Sequence, residues 1–218
     1  MFDNVTCIYF DLDNTLIDRN AALMACLATF FEEYLPQIYF YNEQPEIEEN
    51  DDWGYVDRSD FVAWFIQKYQ PLGWEEESLW NYIKTNISSY VVPISLPLQQ
   101  KLAHLQQHYR LGILTNGSIS NQSRKIKQAQ LNGIFSNQQI HISQQHQLAK
   151  PDPLLFQRIL EQENLEPTQL LYVGDDPVND IFAPAELGIA TCWVSHNREW
   201  NQPLSPDCII EQVIDLPL

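Results

Sequence analysis

The sequence predicts an α/β protein, a parallel sheet assembled from two separated stretches of chain with a block of helices inserted between them. Three observations predict it. Residues 5–10 form an apolar, β-branched run that stops abruptly at Asp11-Leu12-Asp13, as suits a strand buried on both faces of a parallel sheet. After Pro93, short apolar runs alternate with helical periods, the rhythm of parallel strands joined by right-handed crossovers. Between about residues 18 and 93 no strand alternation occurs.

Taken in order, residues 21–34 are expected as a helix, because Leu23, Leu27, Phe30, Phe31 and Tyr34 recur at helical spacing. Pro36 breaks it, and the acidic stretch 43–57 is expected as a solvated loop. Residues 59–69 carry Phe61, Trp64, Phe65 and Tyr69 in helical register, and 74–90 form a further helix whose opening Glu75, Glu76 and Glu77 suit the positive end of its dipole. Beyond Pro93 the expected order is helix 99–108, strand 111–115, turn 116–118, helix 119–131, strand 140–143, helix 153–162, strand 170–173, helix 178–187 and strand 190–194. The domains are therefore read as 1–17 with 94–218, and 18–93. The first strand buries poorly alone and must pair with strands supplied after residue 110.

Composition narrows the function. The 218 residues hold 44% apolar side chains, enough for a full core without metals or disulfides. Twelve Lys and Arg against 29 Asp and Glu leave a net charge of −17, which repels phosphate backbones and argues against nucleic acid polymers as partners. A small anionic substrate stays open, since a local metal or lysine inverts the sign of a pocket. The cysteines at 7, 26, 192 and 208 form no CxxC pair and are expected as reduced thiols of a cytoplasmic protein. The N-terminus carries no signal-peptide core. The longest apolar run, residues 21–31, falls short of the ~20 residues a membrane span needs.

Ligands of open parallel sheets bind beyond the carboxyl ends of the strands, so the polar residues there are the candidates. Asp11 and Asp13 follow the first strand, Thr115 and Asn116 end the second, and Asp175, Asp176 and Asp180 follow the strand at 170–173. Clustered carboxylates raise one another's pKa, and a bound cation removes that penalty. Carboxylates with a substrate phosphate are the ligand set of Mg²⁺. Of Asp11 and Asp13, one is suited to nucleophile and the other to acid/base.

Four motifs in order resemble those of the haloacid dehalogenase-like hydrolase superfamily. They are Phe10-Asp11-Leu12-Asp13-Asn14-Thr15-Leu16, Leu114-Thr115-Asn116-Gly117, Lys150-Pro151-Asp152-Pro153, and Gly174-Asp175-Asp176 with Asp180. The inserted helices resemble the cap of the subgroup containing phosphoglycolate phosphatase, β-phosphoglucomutase and pyrimidine nucleotidases. The resemblance implies a Rossmann-like core with an all-helical cap that closes over the site and excludes water. It implies Asp11 as nucleophile forming an aspartyl-phosphate, Asp13 as acid/base, and Thr115, Asn116 and Lys150 around the phosphoryl group. Mg²⁺ would lie on Asp11, Asp175 and the backbone carbonyl of Asp13, with Asp176 and Asp180 in support.

The expected function is a Mg²⁺-dependent phosphatase of a small sugar phosphate or nucleoside monophosphate. A phosphomutase is the alternative, ahead of a dehalogenase, whose family lacks a carboxylate at the position of Asp13, and of a non-catalytic binding protein. Gln144, Gln145 and His146 stand where relatives often carry acidic residues. Arg19, one of few cations near the first motif, is a candidate for substrate contact.

Overall fold

The computed structural model describes residues 2–218. The chain forms two compact units, one running to Ile17 and resuming over Pro93–Leu218, the other Asp18–Val92. The first contains six strands: β1 (Cys7–Phe10), β2 (Arg110–Thr115), β3 (Ile140–Ile142), β4 (Leu170–Gly174), β5 (Ala190–Val194) and β6 (Cys208–Ile210). All pair in parallel, in the order β3-β2-β1-β4-β5-β6. Every residue of β1 and β4 is buried, which is why these strands read as unbroken apolar runs rather than as alternation. Connections diverge to either side at the boundary of β1 and β4, the switch point where such sheets open a crevice.

The second unit is helical. It comprises α1 (Arg19–Tyr34), α2 (Phe40–Asp51), α3 (Arg58–Tyr69) and α4 (Glu76–Asn86), followed by a 3₁₀ turn at Ile87–Tyr90. Its core is aromatic. Phe30 meets Phe65, Trp74 and Tyr82 edge-on, and Phe31 meets Phe40, Phe65 and Tyr69. Asp18 caps α1 by accepting from the Ala21 amide. Here the expected loop over 43–57 is corrected: most of it is α2, despite Pro45. Burial of Phe40 and Ile47 holds this helix, and Lys68 of α3 pairs with Glu43 and Glu46. Local composition argued for solvent, and tertiary pairing overrode it.

Five helices flank the sheet: α5 (Leu96–Leu105), α6 (Ile119–Gln128), α7 (Ser143–His146), α8 (Pro153–Glu163) and α9 (Ala183–Glu186), the last entered through a π-helical turn at Pro177–Phe182. The expected helix over 178–187 is thus two segments. On one sheet face, Leu155, Phe156 and Ile159 of α8 pack with Cys7, Tyr9, Leu114 and Tyr172. Ser118 and Asp152 cap α6 and α8. Strand β6 carries no expectation above, being three residues long and half exposed. No helix among the described residues is long and apolar enough to cross a membrane.

Candidate active site

Because β2, β1 and β4 are neighbours in the sheet, their carboxyl ends deliver Thr115, Asp11 and Asp175 side by side. Asp11 extends the pairing of its strand, its amide donating to Val173 O at 2.9 Å. All three side chains are buried.

Lys150 reaches this edge from the loop before α8. Its Nζ donates to Asp11 Oδ1 at 2.6 Å, to Asp180 Oδ1 at 2.7 Å and to the Tyr172 hydroxyl at 3.0 Å. Tyr172 in turn donates to Leu114 O at 2.8 Å, so an apolar-looking strand residue fixes the far side of the lysine. Asn116 grips the lysine's backbone from both sides: its Nδ2 donates to Lys150 O at 2.8 Å, and its Oδ1 accepts from Lys150 N at 2.9 Å. Burial opposes the Lys150 charge, yet Asp11 and Asp180 outweigh it and hold the ammonium well above its ordinary pKa.

Asp11, Asp175 and Asp180 each bring a carboxylate oxygen within 4.8 Å of the others, all buried. Burial pushes Asp11 up to about 7, with Asp180 and Asp13 adding to the rise against the pull of Lys150. Asp180 is raised too, by burial and by Asp176. Lys150 on Asp11 and Asp180, and Arg198 Nη2 at 3.7 Å from Asp175 Oδ2, set two cations against three buried carboxylates, an excess of negative charge in an all-oxygen donor set. That chemistry fits a hard divalent cation such as Mg²⁺. Asp180 already uses both oxygens, one on Lys150 and one accepting from the Asp176 amide at 3.0 Å. Gly174 makes room for it, since a Cβ there would overlap the Asp180 carboxylate. The Asp175 carbonyl accepts from Trp193 Nε1 at 2.8 Å and from Arg198 at 3.2 Å. Asp176 caps the π-helical turn through the amides of Val178 and Asn179.

Asp13 lies outside that carboxylate group. Both its oxygens accept from Lys125 Nζ, at 2.6 and 2.7 Å, and Oδ2 also accepts from Gln122 Nε2 at 3.0 Å. Gln122 further donates to Thr115 Oγ1 at 2.6 Å. The resemblance assigns the backbone carbonyl of Asp13, not this carboxylate, to a metal. Asn14 follows in the left-handed region at φ 57°, a conformation asparagine tolerates, and turns the chain back.

The sequence reading missed Gln122, Lys125 and Tyr172. A signal for two of them exists. Gln122, Lys125 and Ile126, continued by Ala129, are the buried positions of α6, so polar residues occupy an inward stripe at i, i+3. Gln144, in the stretch that departs from the resemblance, and Ser143 just before it receive the amides of Ile119 and Gly117 at 2.7 and 3.0 Å. Arg19 lies in the helical unit, where its guanidinium forms an ion pair with Asp51.

Residues 8–194 match a family model described as haloacid dehalogenase-like hydrolase. A glyceraldehyde 3-phosphate phosphatase of Pyrococcus furiosus is 24% identical over 201 residues, spanning 89% of this chain and 82% of that protein. The pyrimidine 5′-nucleotidase YjjG of Escherichia coli is 31% identical over 109 residues, spanning 49% of this chain and 48% of the relative. The solved structure of the hydrolase YfnB of Bacillus subtilis, bound to magnesium, shares the fold with a TM-score of 0.82 at 21% identity, covering 97% of this chain and 96% of that one.

Proposed function

The chain belongs to the haloacid dehalogenase-like hydrolase family, and from that premise we propose that it is a Mg²⁺-dependent phosphatase of small phosphorylated metabolites. The observation that carries this reading is the buried Asp11 carboxylate at the end of β1, one oxygen held 2.6 Å from the Lys150 ammonium. A nucleophile needs one oxygen aligned on phosphorus and its charge balanced, and the lysine supplies both from the side.

The sequence of steps balances on this chain's own groups. An Asp11 oxygen forms a bond to phosphorus while the bond to the leaving oxygen breaks, and Asp13 gives that oxygen a proton. Water then attacks the aspartyl-phosphate, Asp13 takes the proton back, the bond to Asp11 breaks and inorganic phosphate leaves. Thr115 and backbone amides near Asn116 hold the phosphoryl oxygens. Asn116 contributes chiefly by fixing Lys150, since its side-chain amide is committed to that backbone. Asp11, Asp175 and the Asp13 carbonyl would hold Mg²⁺, which would supply charge neutralisation to the phosphoryl group. Asp180 anchors the lysine, and Asp176 holds the turn that presents Asp180.

The substrate class is a sugar phosphate or nucleoside monophosphate, a reading supported by the names of the phosphatase and nucleotidase relatives. The test is phosphate release from a metabolite panel, with and without Mg²⁺, by wild type and Asp11→Asn. Mg²⁺-dependent release that disappears in the variant is the expected result, and the best substrate names the class. Release undiminished in Asp11→Asn, once contaminating phosphatase is removed, overturns the mechanism.

A further inference from the structure

Two buried polar residues of α6 are unused by the mechanism above, and their contacts converge on its acid/base. Lys125 is almost wholly buried, while the Asp13 side chain it holds is about a quarter exposed. The ammonium straddles both Asp13 oxygens. Both amide hydrogens of Gln122 are committed, one to Asp13 Oδ2 and one to Thr115 Oγ1. The orientation of that amide follows from its partners when Asp13 is ionised, the state it occupies once it has given up its proton, because an ionised carboxylate only accepts. Thr115 Oγ1 therefore also accepts, and its own proton is directed elsewhere. Its one other partner here, Asn116 O, is at 3.5 Å, the outer limit of a hydrogen bond.

We propose that Gln122 and Lys125 form a positioning pair for the phosphatase reaction. Lys125 aims the Asp13 carboxylate, and Gln122 locks it to Thr115 so that the Thr115 hydroxyl donates to a phosphoryl oxygen. The proposal rests on the roles of Asp13 and Thr115 given under the proposed function. Its physical basis is preorganisation: an acid/base on a turn beyond a strand end has rotamers to lose, and two charged or polar contacts from one rigid helix remove them. One helix thereby delivers the proton-transfer group and the phosphate-holding hydroxyl as a single unit.

The test compares Lys125→Met, Lys125→Arg and Gln122→Leu with wild type on the best substrate of the panel, in Mg²⁺. Lys125→Met is expected to lower kcat by about 10–100-fold with KM little changed, and Lys125→Arg to recover part of the loss. Gln122→Leu is expected to lower kcat and also to weaken inhibition by inorganic phosphate, because it frees Thr115. A folded Lys125→Met protein with wild-type kcat overturns the proposal.

A second measurement does not depend on activity. The Tm changes of Asp13→Asn, Lys125→Met and the double variant are expected to be non-additive, as for residues in direct contact. Strict additivity overturns the pairing even if the enzyme is active. A wild type that releases no phosphate yet shows non-additive Tm changes removes the phosphatase reading and leaves the contact standing.

Discussion

Asp11 illustrates how a single residue carries both stability and chemistry. Its ordinary pKa is near 3.8, and burial lifts it to about 7. A group whose folded pKa is raised stabilises the fold below its unfolded pKa and loses that contribution as pH climbs through the folded value. The raised value favours a proton on Asp11 in the folded chain between its ordinary pKa and about 7, and a bound Mg²⁺ would compete with that proton. Mg²⁺ affinity is expected to rise as pH goes from 6 to 8, by up to about tenfold per unit below 7. Calorimetric titration with Mg²⁺ at several pH values checks this, and a flat profile contradicts the assigned environment. At this scale the sequence exposed Asp11, Thr115 and Asp175 at strand ends, because each stands in a short motif at the close of an apolar run, whereas Lys150, in a polar loop, stood out only through the motif that carries the family resemblance. It did not expose Tyr172, which reads as one more buried strand residue until its hydroxyl is seen to meet Lys150.

Among the elements, α2 shows where local reading failed. Pro45 lies inside it, exposed to solvent, and offers no amide to the turn before it. Glu43, Glu46, Glu48 and Glu49 crowd the same segment, so periodicity and charge both argued against a helix. What forms it is remote: Lys68 answers the acids at 43 and 46, Tyr69 donates to Glu43 at 3.1 Å, and Phe40 and Ile47 enter the aromatic core. Since Pro45 packs against little, Pro45→Ala is expected to stabilise the protein by about 1–2 kcal/mol, the restored hydrogen bond and propensity exceeding the added freedom of the unfolded chain. Urea unfolding measures it. By contrast α1 and α3 were legible to within a few residues, because their buried positions repeat at 3.6 and each starts on an aspartate cap.

On the scale of the whole molecule, the net charge of −17 is spread over 218 residues with 12 cations to offset 29 carboxylates. Self-repulsion of this size weakens the compact state and is screened by salt. Tm is expected to rise by a few degrees between 0.02 and 0.3 M NaCl, measured without Mg²⁺ so that metal binding does not contribute. Two of the twelve cations, Lys150 and Lys125, are buried against aspartates at the strand ends, an arrangement that follows from a sheet whose central strands end in carboxylates.

What the sequence determined by itself is therefore whatever adjacent residues can specify: the buried strands, the caps, the turns beyond them, and the motifs at their ends. What only the tertiary structure decided is pairing across long separations. Asp11 and Lys150 are 139 residues apart, and Asp13 and Lys125 are 112 apart. Their contacts exist because β1 lies between β2 and β4 in the sheet, a strand order that closes after the whole chain has packed. Periodicity reports which face of a helix turns inward, but not what that face will meet. For this reason Gln122 and Lys125 stood in plain sight on α6 and acquired meaning only when Asp13 and Thr115 were placed against them.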